Sequence, residues 1–118
     1  RRVYRAVAAA LSAGRVPVLL GGDHSLAIGS ISAVAQHCQA QGLRLRVLWV
    51  DAHADANTPA TSPSGNLHGM PVACLLGDGP PALRALAGAS PALQGTSLYL
   101  MGLRSLDHAG RQRAHFFE

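Results

Sequence analysis

Residues 48–69 read LWVDAHADANTPATSPSGNLHG, a stretch that changes abruptly from apolar to polar side chains. The apolar run 47–50 predicts the end of a buried β-strand, and the sequence DAHAD follows it directly. Because side chains of an extended segment alternate between two faces, Asp51, His53 and Asp55 are expected to point the same way. Two carboxylates and an imidazole on one face can bind a divalent metal, and this oxygen-rich set suits Mn²⁺. The alternative is a polar turn in which the acids cap the next element.

Predicted helices and strands alternate along the chain. Apolar residues at helical spacing predict helices, which we place at Arg1–Ala13, Leu26–Cys38, Gly69–Leu76, Pro80–Ala87 and Asp107–His115. Short apolar runs predict strands, which we place at Val16–Leu20, Leu43–Val50 and Ser97–Leu103. This alternation is typical of an α/β fold with a parallel sheet and right-handed crossover connections.

A polar cluster follows each of the three predicted strands. The clusters are Asp23-His24, Asp51–Asn57 and Arg104–Asp107, and residues 58–66 are rich in Thr, Ser, Pro and Gly, which predicts a loop. Ligands of parallel α/β sheets bind at the carboxyl ends of the strands. We therefore expect one site that is assembled from three loops.

The composition indicates a folded chain and disfavours several classes of partner. Hydrophobic residues make up 48% of the 118 residues and charged residues 14%, which is unlike a disordered segment. No apolar run approaches the length of a membrane span, so no membrane partner is expected. The net charge is +4, but the ten basic residues, all arginine, are scattered without interleaved aromatic residues, which disfavours nucleic-acid binding. Cys38 and Cys74 are too few for a disulfide framework, so we expect free thiols in a reducing cytoplasm.

The two ends of the chain suggest an incomplete domain. The sequence begins at Arg1 without a methionine, and it stops at Glu118, where an apolar stretch is starting. We therefore interpret residues 1–118 as part of a single domain that is incomplete at both ends, with its C-terminal portion missing.

Four motifs occur in a fixed order: GGDHS at 21–25, DAHADANTP at 51–59, SGNLHG at 64–69 and GLRSLD at 102–107. Together they resemble the arginase (ureohydrolase) family, and the resemblance runs from Val18 to Asp107. It implies a three-layer α/β/α fold with a mainly parallel sheet. It also implies that two Mn²⁺ ions hold a hydroxide that hydrolyses the guanidinium group of L-arginine to L-ornithine and urea. Members of the family are commonly homo-oligomers, either trimers or hexamers.

The resemblance assigns roles to the metal-binding residues. It implies that His24 and Asp55 bind the first manganese, that His53 binds the second and that Asp51 bridges the two. Two ions that share one water molecule lower its pKa and hold the hydroxide against the guanidinium carbon. Without the second cluster, His24 would be read as an ordinary histidine at the start of a helix. Asp23 is expected to orient its turn or to form hydrogen bonds to groups around the metal ligands, rather than to bind metal itself.

The resemblance also assigns the groups that handle substrate and protons. His68 matches the family's proton-shuttle histidine, and a neutral imidazole is suited to pass a proton to a leaving amine near pH 7. Asn57 and Ser64 match positions that hold the α-carboxylate, and Asp107 matches the acid that faces the α-amino group. The alternatives are a surface-loop histidine and ordinary turn and capping chemistry.

Two departures from the family pattern keep other functions open. Gly110 stands where arginases usually carry a further glutamate, three residues after Asp107. Two later aspartates of a D-x-D-x-x-D-P motif, which complete the metal site in the family, have no counterpart among the six acidic residues. The competing hypotheses are another ureohydrolase, acting on agmatine or a guanidino acid, and a non-catalytic remnant that binds metal. The Asn57 and Ser64 pair disfavours the first of these, since agmatine lacks the carboxylate.

Overall fold

The computed structural model describes residues 1–88 and 91–106, so the predicted helix Asp107–His115 lies outside the described residues. The helices are α1 (Arg2–Ser12), α2 (Leu26–Ala40), α3 (Pro71–Leu75) and α4 (Pro81–Arg84), and the strands are β1 (Val47–Val50) and β2 (Leu98–Met101). Single 3₁₀ turns occur at Leu67–Gly69, Ala85–Ala87 and Gly95–Ser97. In these ranges, no helix has both the length and the apolar character that a membrane span requires.

Helices α1 and α2 pack closely because α2 carries a glycine at their contact. A Cβ atom at Gly29 would lie 3.2 Å from the Tyr4 backbone nitrogen and 3.3 Å from Val3 Cβ. The predicted end of α1 is also confirmed, since Gly14 adopts a φ of +68° and its N–H donates to the Leu11 carbonyl at 2.9 Å. The glycines thus set both the length of α1 and its distance from α2.

Strands β1 and β2 pair in parallel, with Val47 opposite Leu98 and Val50 opposite Met101. The pairing continues one step further, because the Asp51 N–H donates to the Met101 carbonyl at 3.0 Å. Both strands fall within the segments predicted from the sequence but are shorter than predicted. The parallel arrangement brings the carboxyl ends of both strands to the same edge.

The prediction of a buried strand at Val16–Leu20 is wrong for this structure. Residues 16–20 have no assigned strand, and the sheet of the described residues consists of β1 and β2. Val16, Val18 and Leu20 are 88%, 80% and 89% exposed. An apolar run becomes a strand only when a neighbouring strand accepts its backbone hydrogen bonds, and none of the described segments lies in that position.

The hydrophobic core is centred on the short helix α3, every residue of which is buried. Val72 and Leu75 pack with Trp49 of β1 and Leu98 of β2 in one cluster. On its other side, Cys74 of α3 packs in a second cluster with Ile28 of α2 and with Met70, the residue before α3. Helix α3 therefore connects the sheet to α2, and burial raises the pKa of the Cys74 thiol.

The position of α3 predicts unequal costs for the same change at two leucines. Leu75 is 1% exposed, so Leu75→Ala should lower the free energy of unfolding by about 2–5 kcal/mol through lost burial and a residual cavity. Leu48 is 60% exposed, so Leu48→Ala serves as the control and should cost at most about 0.5 kcal/mol. Chemical denaturation of both variants measures the difference. Equal costs would contradict a core centred on α3.

Candidate functional site

Backbone hydrogen bonds hold the segment after β1 in a fixed position. The Ala52 carbonyl accepts hydrogen bonds from the Arg104 and Ser105 N–H groups at 2.9 and 3.0 Å, which ties the ends of β1 and β2 together. The Asp55 carbonyl accepts one from the Val72 N–H at 3.0 Å, which ties the segment to α3. Asp55 itself has a φ of +48°, a conformation that Asp and Asn adopt more readily than most residues. The DAHAD segment is therefore anchored to both strands and to the core helix.

His24 reaches this segment from the start of α2. In the turn that precedes the helix, Asp23 Oδ1 accepts a hydrogen bond from the Ser25 N–H at 2.9 Å. The His24 imidazole stacks on the indole of Trp49, with ring centroids 4.6 Å apart and an interplanar angle of 24°. Trp49 is buried, so it offers a rigid surface that fixes the plane of the imidazole. The sequence pattern places Trp49 in the apolar strand, and nothing in a local pattern links it to His24.

Three of the four side chains predicted to bind metal lie together. His24 Nδ1 is 2.9 Å from Asp55 Oδ2 and 3.5 Å from Asp51 Oδ2. One ligand atom from each of these three residues lies within 4.8 Å of the other two. A group of one imidazole and two carboxylates at this spacing can surround a single divalent cation, for which such oxygen-rich sets are suited.

The fourth predicted ligand, His53, lies on the other side of Asp51. His53 Nδ1 is 3.2 Å from Asp51 Oδ1, and the His53 N–H donates to the same oxygen at 2.7 Å. The imidazole is exposed and is not part of the three-residue group. Asp51 thus presents one carboxylate oxygen to His24 and the other to His53, an arrangement that allows it to serve two neighbouring cation positions.

One carboxylate oxygen of the cluster is buried, and no described residue gives it the hydrogen bond that such an oxygen needs. Asp55 Oδ2 is buried and receives no well-formed hydrogen bond among the described residues, although His24 Nδ1 is close by. A buried carboxylate oxygen without such a bond is costly, whereas a metal ion would satisfy it. The donor atoms present are therefore compatible with a divalent metal.

The pKa values of the two acids differ because their surroundings differ. Burial opposes ionisation of Asp51, but hydrogen bonds from His53 and the nearby histidines outweigh it, and the pKa of Asp51 lies below its ordinary value. Desolvation dominates at Asp55 and raises its pKa, although His24 partly offsets the effect. The fold without metal therefore favours an ionised Asp51 and disfavours an ionised Asp55.

The residues predicted to handle protons and substrate lie in the following loop or beyond it. His68 belongs to the 3₁₀ turn Leu67–Gly69, and its Nδ1 lies 3.5 Å from Asp23 Oδ2. Asn57 Oδ1 accepts a hydrogen bond from the Thr61 hydroxyl at 3.0 Å, and Ser64 Oγ accepts one from the Asn66 N–H at 3.3 Å. These are the local turn contacts that Asn and Ser commonly make. Asp107 lies outside the described residues.

Comparison with known proteins identifies the family. A family model described as the arginase family matches residues 1–117. The arginase of Bacillus caldovelox is 50% identical over 111 residues, which cover 94% of this chain and 36% of that protein. This chain belongs to the arginase family. It spans about a third of the length of the curated relatives that it matches.

Solved arginase structures confirm the fold class predicted from the sequence. The arginase from Bacillus subtilis superposes with a TM-score of 0.89 at 40% identity, covering 97% of this chain and 38% of that one. The Entamoeba histolytica arginase, solved in complex with L-ornithine, gives a TM-score of 0.81 at 34% identity, covering 97% of this chain and 39% of that one. The described strands and helices are thus part of an arginase fold.

The contrasting pKa shifts predict opposite effects of removing the two charges. The pKa of Asp55 is raised, so the protonated carboxyl group favours the folded chain. This contribution to the free energy of unfolding is lost as the pH rises through the folded pKa of Asp55. Asp55→Asn should therefore raise the melting temperature of the metal-free chain at pH 7.5, and Asn tolerates the positive φ.

The pKa of Asp51 is lowered, so its carboxylate stabilises the fold at pH values above the ordinary pKa, and this stabilisation is lost as the pH falls through the folded pKa. Asp51→Asn should therefore lower the melting temperature at pH 7.5. Each variant serves as the control for the other, because both remove one charge from the same cluster. Thermal melts in the presence of a chelator measure both shifts. A lower melting temperature for Asp55→Asn would show that its buried charge is already compensated without metal.

Proposed function

We propose that this chain contributes four ligand residues to a binuclear manganese site that hydrolyses L-arginine to L-ornithine and urea. The observation that carries the proposal is the Asp51 carboxylate, whose Oδ2 lies 3.5 Å from His24 Nδ1 and whose Oδ1 lies 3.2 Å from His53 Nδ1. His24 and Asp55 would hold one ion, His53 the other, and Asp51 both. The two further aspartates that the family resemblance implies are required to complete the site.

In this proposal the protein residues divide the work of hydrolysis. When bound, manganese supplies a Lewis acid that lowers the pKa of water, so that a nucleophile is available at neutral pH. Asn57 and Ser64 hold the α-carboxylate, which fixes the position of the guanidinium carbon. His68 gives a proton to the amine that leaves when the carbon–nitrogen bond breaks. Three further predictions remain: that residues 1–118 are part of a single domain, that the protein forms a homo-oligomer, and that it is located in the cytoplasm.

The named relatives support arginine as the substrate class. The B. caldovelox relative is described as an arginase, and the E. histolytica arginase binds L-ornithine, an amino acid that retains the α-carboxylate and α-amino groups. The matching motif residues Asn57 and Ser64 are both in this chain. We therefore favour arginine over agmatine, which lacks the α-carboxylate.

Metal binding can be measured on this chain through Trp49, the one tryptophan of the sequence. Because Trp49 stacks on His24, Mn²⁺ that binds His24 should produce a saturable change in tryptophan fluorescence. His24→Ala should abolish the change. His37→Ala is the matched control, since His37 lies in the last turn of α2, far along the helix from His24, and should retain it. An undiminished response in His24→Ala would remove His24 from the metal site.

Substrate choice can be measured in a polypeptide that carries this chain together with the two further aspartates. We expect kcat/KM to be higher for arginine than for agmatine, because a site built to bind a polar group rejects an analogue that lacks it. Ser64→Ala should lower the ratio of kcat/KM for arginine to kcat/KM for agmatine by about 10- to 100-fold. This is the effect of losing a hydrogen bond to a charged group, which is worth about 1.5–3 kcal/mol. A preference for agmatine would indicate another ureohydrolase, and no urea from either substrate would indicate a non-catalytic metal-binding protein.

A further inference from the structure

The Asp23 carboxylate connects two different loops. Its Oδ1 accepts a hydrogen bond from the Ser25 N–H at 2.9 Å, which fixes the carboxylate in the turn before α2. Its Oδ2 lies 3.5 Å from His68 Nδ1, across the gap between that turn and the 3₁₀ turn Leu67–Gly69. One oxygen is therefore used locally, and the other faces the imidazole.

The backbone that carries His68 is anchored independently of Asp23. The Gly69 carbonyl accepts a hydrogen bond from the Asn57 N–H at 3.1 Å, and the Met70 N–H donates to the Leu67 carbonyl at 3.0 Å. Asp and His side chains each have two rotatable bonds, so little freedom is lost when they face each other. The approach of Asp23 to His68 therefore follows from two anchored turns.

The contact with Asp23 determines which ring nitrogen of His68 carries the hydrogen. A carboxylate can only accept a hydrogen bond, so it favours the imidazole tautomer that carries its hydrogen on Nδ1. The distance of 3.5 Å is at the outer limit of a hydrogen bond. Such contacts are often long in a ligand-free site and shorten when substrate binds. The nitrogen that remains available to a substrate is then Nε2.

We propose that Asp23 is a positioning residue for His68, accepting a hydrogen bond from Nδ1–H and presenting Nε2 to the leaving group. The kinetic part of this proposal rests on the proposed function, whereas the orientation of the ring does not. In the proton-transfer step, the imidazolium gives its Nε2 proton to the amine as the carbon–nitrogen bond breaks. The ring returns to its Nδ1–H form, and solvent restores the proton because His68 is exposed.

The variant Asp23→Asn separates positioning of His68 from folding of the turn. The asparagine oxygen can still accept the Ser25 N–H bond, but its amide group then offers a hydrogen to His68 Nδ1 instead of accepting one. In ¹⁵N NMR spectra of this chain at mildly alkaline pH, we expect His68 to carry its hydrogen on Nδ1 in the parent and on Nε2 in Asp23→Asn. Asp78→Asn, which removes a charge from an exposed position after α3, is the control and should leave the parent tautomer unchanged. The same His68 tautomer in parent and Asp23→Asn would overturn the proposal.

The consequence for catalysis can be tested by kinetics in a polypeptide that carries this chain together with the two further aspartates. Asp23→Asn should lower kcat by about 10- to 100-fold with KM within about twofold, because an orienting partner accounts for part of the effect of a general acid. In a His68→Ala background the same change should have no further effect. Mn²⁺ affinity should stay the same. An unchanged kcat, a multiplicative loss in the double variant or weakened Mn²⁺ binding would each contradict positioning of His68. If the parent releases no urea, the proposed function fails, and the NMR result alone decides the orientation.

Discussion

The Asp55 carboxylate is held in a largely buried position, with 8% of its side chain exposed, where the loss of hydration opposes its ionisation. Its backbone carbonyl is bonded to α3, and its φ is positive, so the side chain cannot turn away to solvent without disturbing the core. The neighbouring His24 offsets the cost only in part. A buried carboxylate that the other described residues leave poorly compensated is typical of a functional site, where stability is given up for function. The other groups of the cluster, His24 and Asp51, lie close to this carboxylate.

The cluster joins segments that are far apart in the sequence. His24 belongs to the turn before α2, and Asp51 and Asp55 belong to the segment after β1. Hydrogen bonds between the ends of β1 and β2, the stacking of His24 on Trp49 and the bond from α3 to Asp55 each fix one part of this geometry. Because each part of the cluster is anchored by one of these contacts, its donor atoms would already be in place when a metal binds. Such preorganisation reduces the cost of binding.

The sequence predicted those features that depend on local pattern and on family motifs. Strands β1 and β2 were predictable because apolar runs end in polar clusters. The proximity of His24 to Asp51 was predicted from the family motifs and from a parallel strand placed before His24, and it is observed although that strand is not part of the sheet of the described residues. The strand predicted at Val16–Leu20 is not observed, because a strand needs a partner that an isolated sequence pattern does not specify. Trp49 beneath His24 and Asp23 beside His68 were also beyond sequence reasoning, since each contact joins residues 25 or more positions apart. The roles of the metal-binding and substrate-binding residues remain predictions.

We propose that His24, Asp51 and Asp55 form one manganese position, with Asp51 extending toward a second position at His53. Anomalous X-ray diffraction at the manganese absorption edge, from crystals grown with Mn²⁺, tests this claim most directly. We expect an anomalous peak that contacts the side chains of His24, Asp51 and Asp55, and, when the two further aspartates are present, a second peak that contacts Asp51 and His53. A well-ordered cluster with no anomalous peak at saturating Mn²⁺, or a peak bound by other residues, would contradict the account.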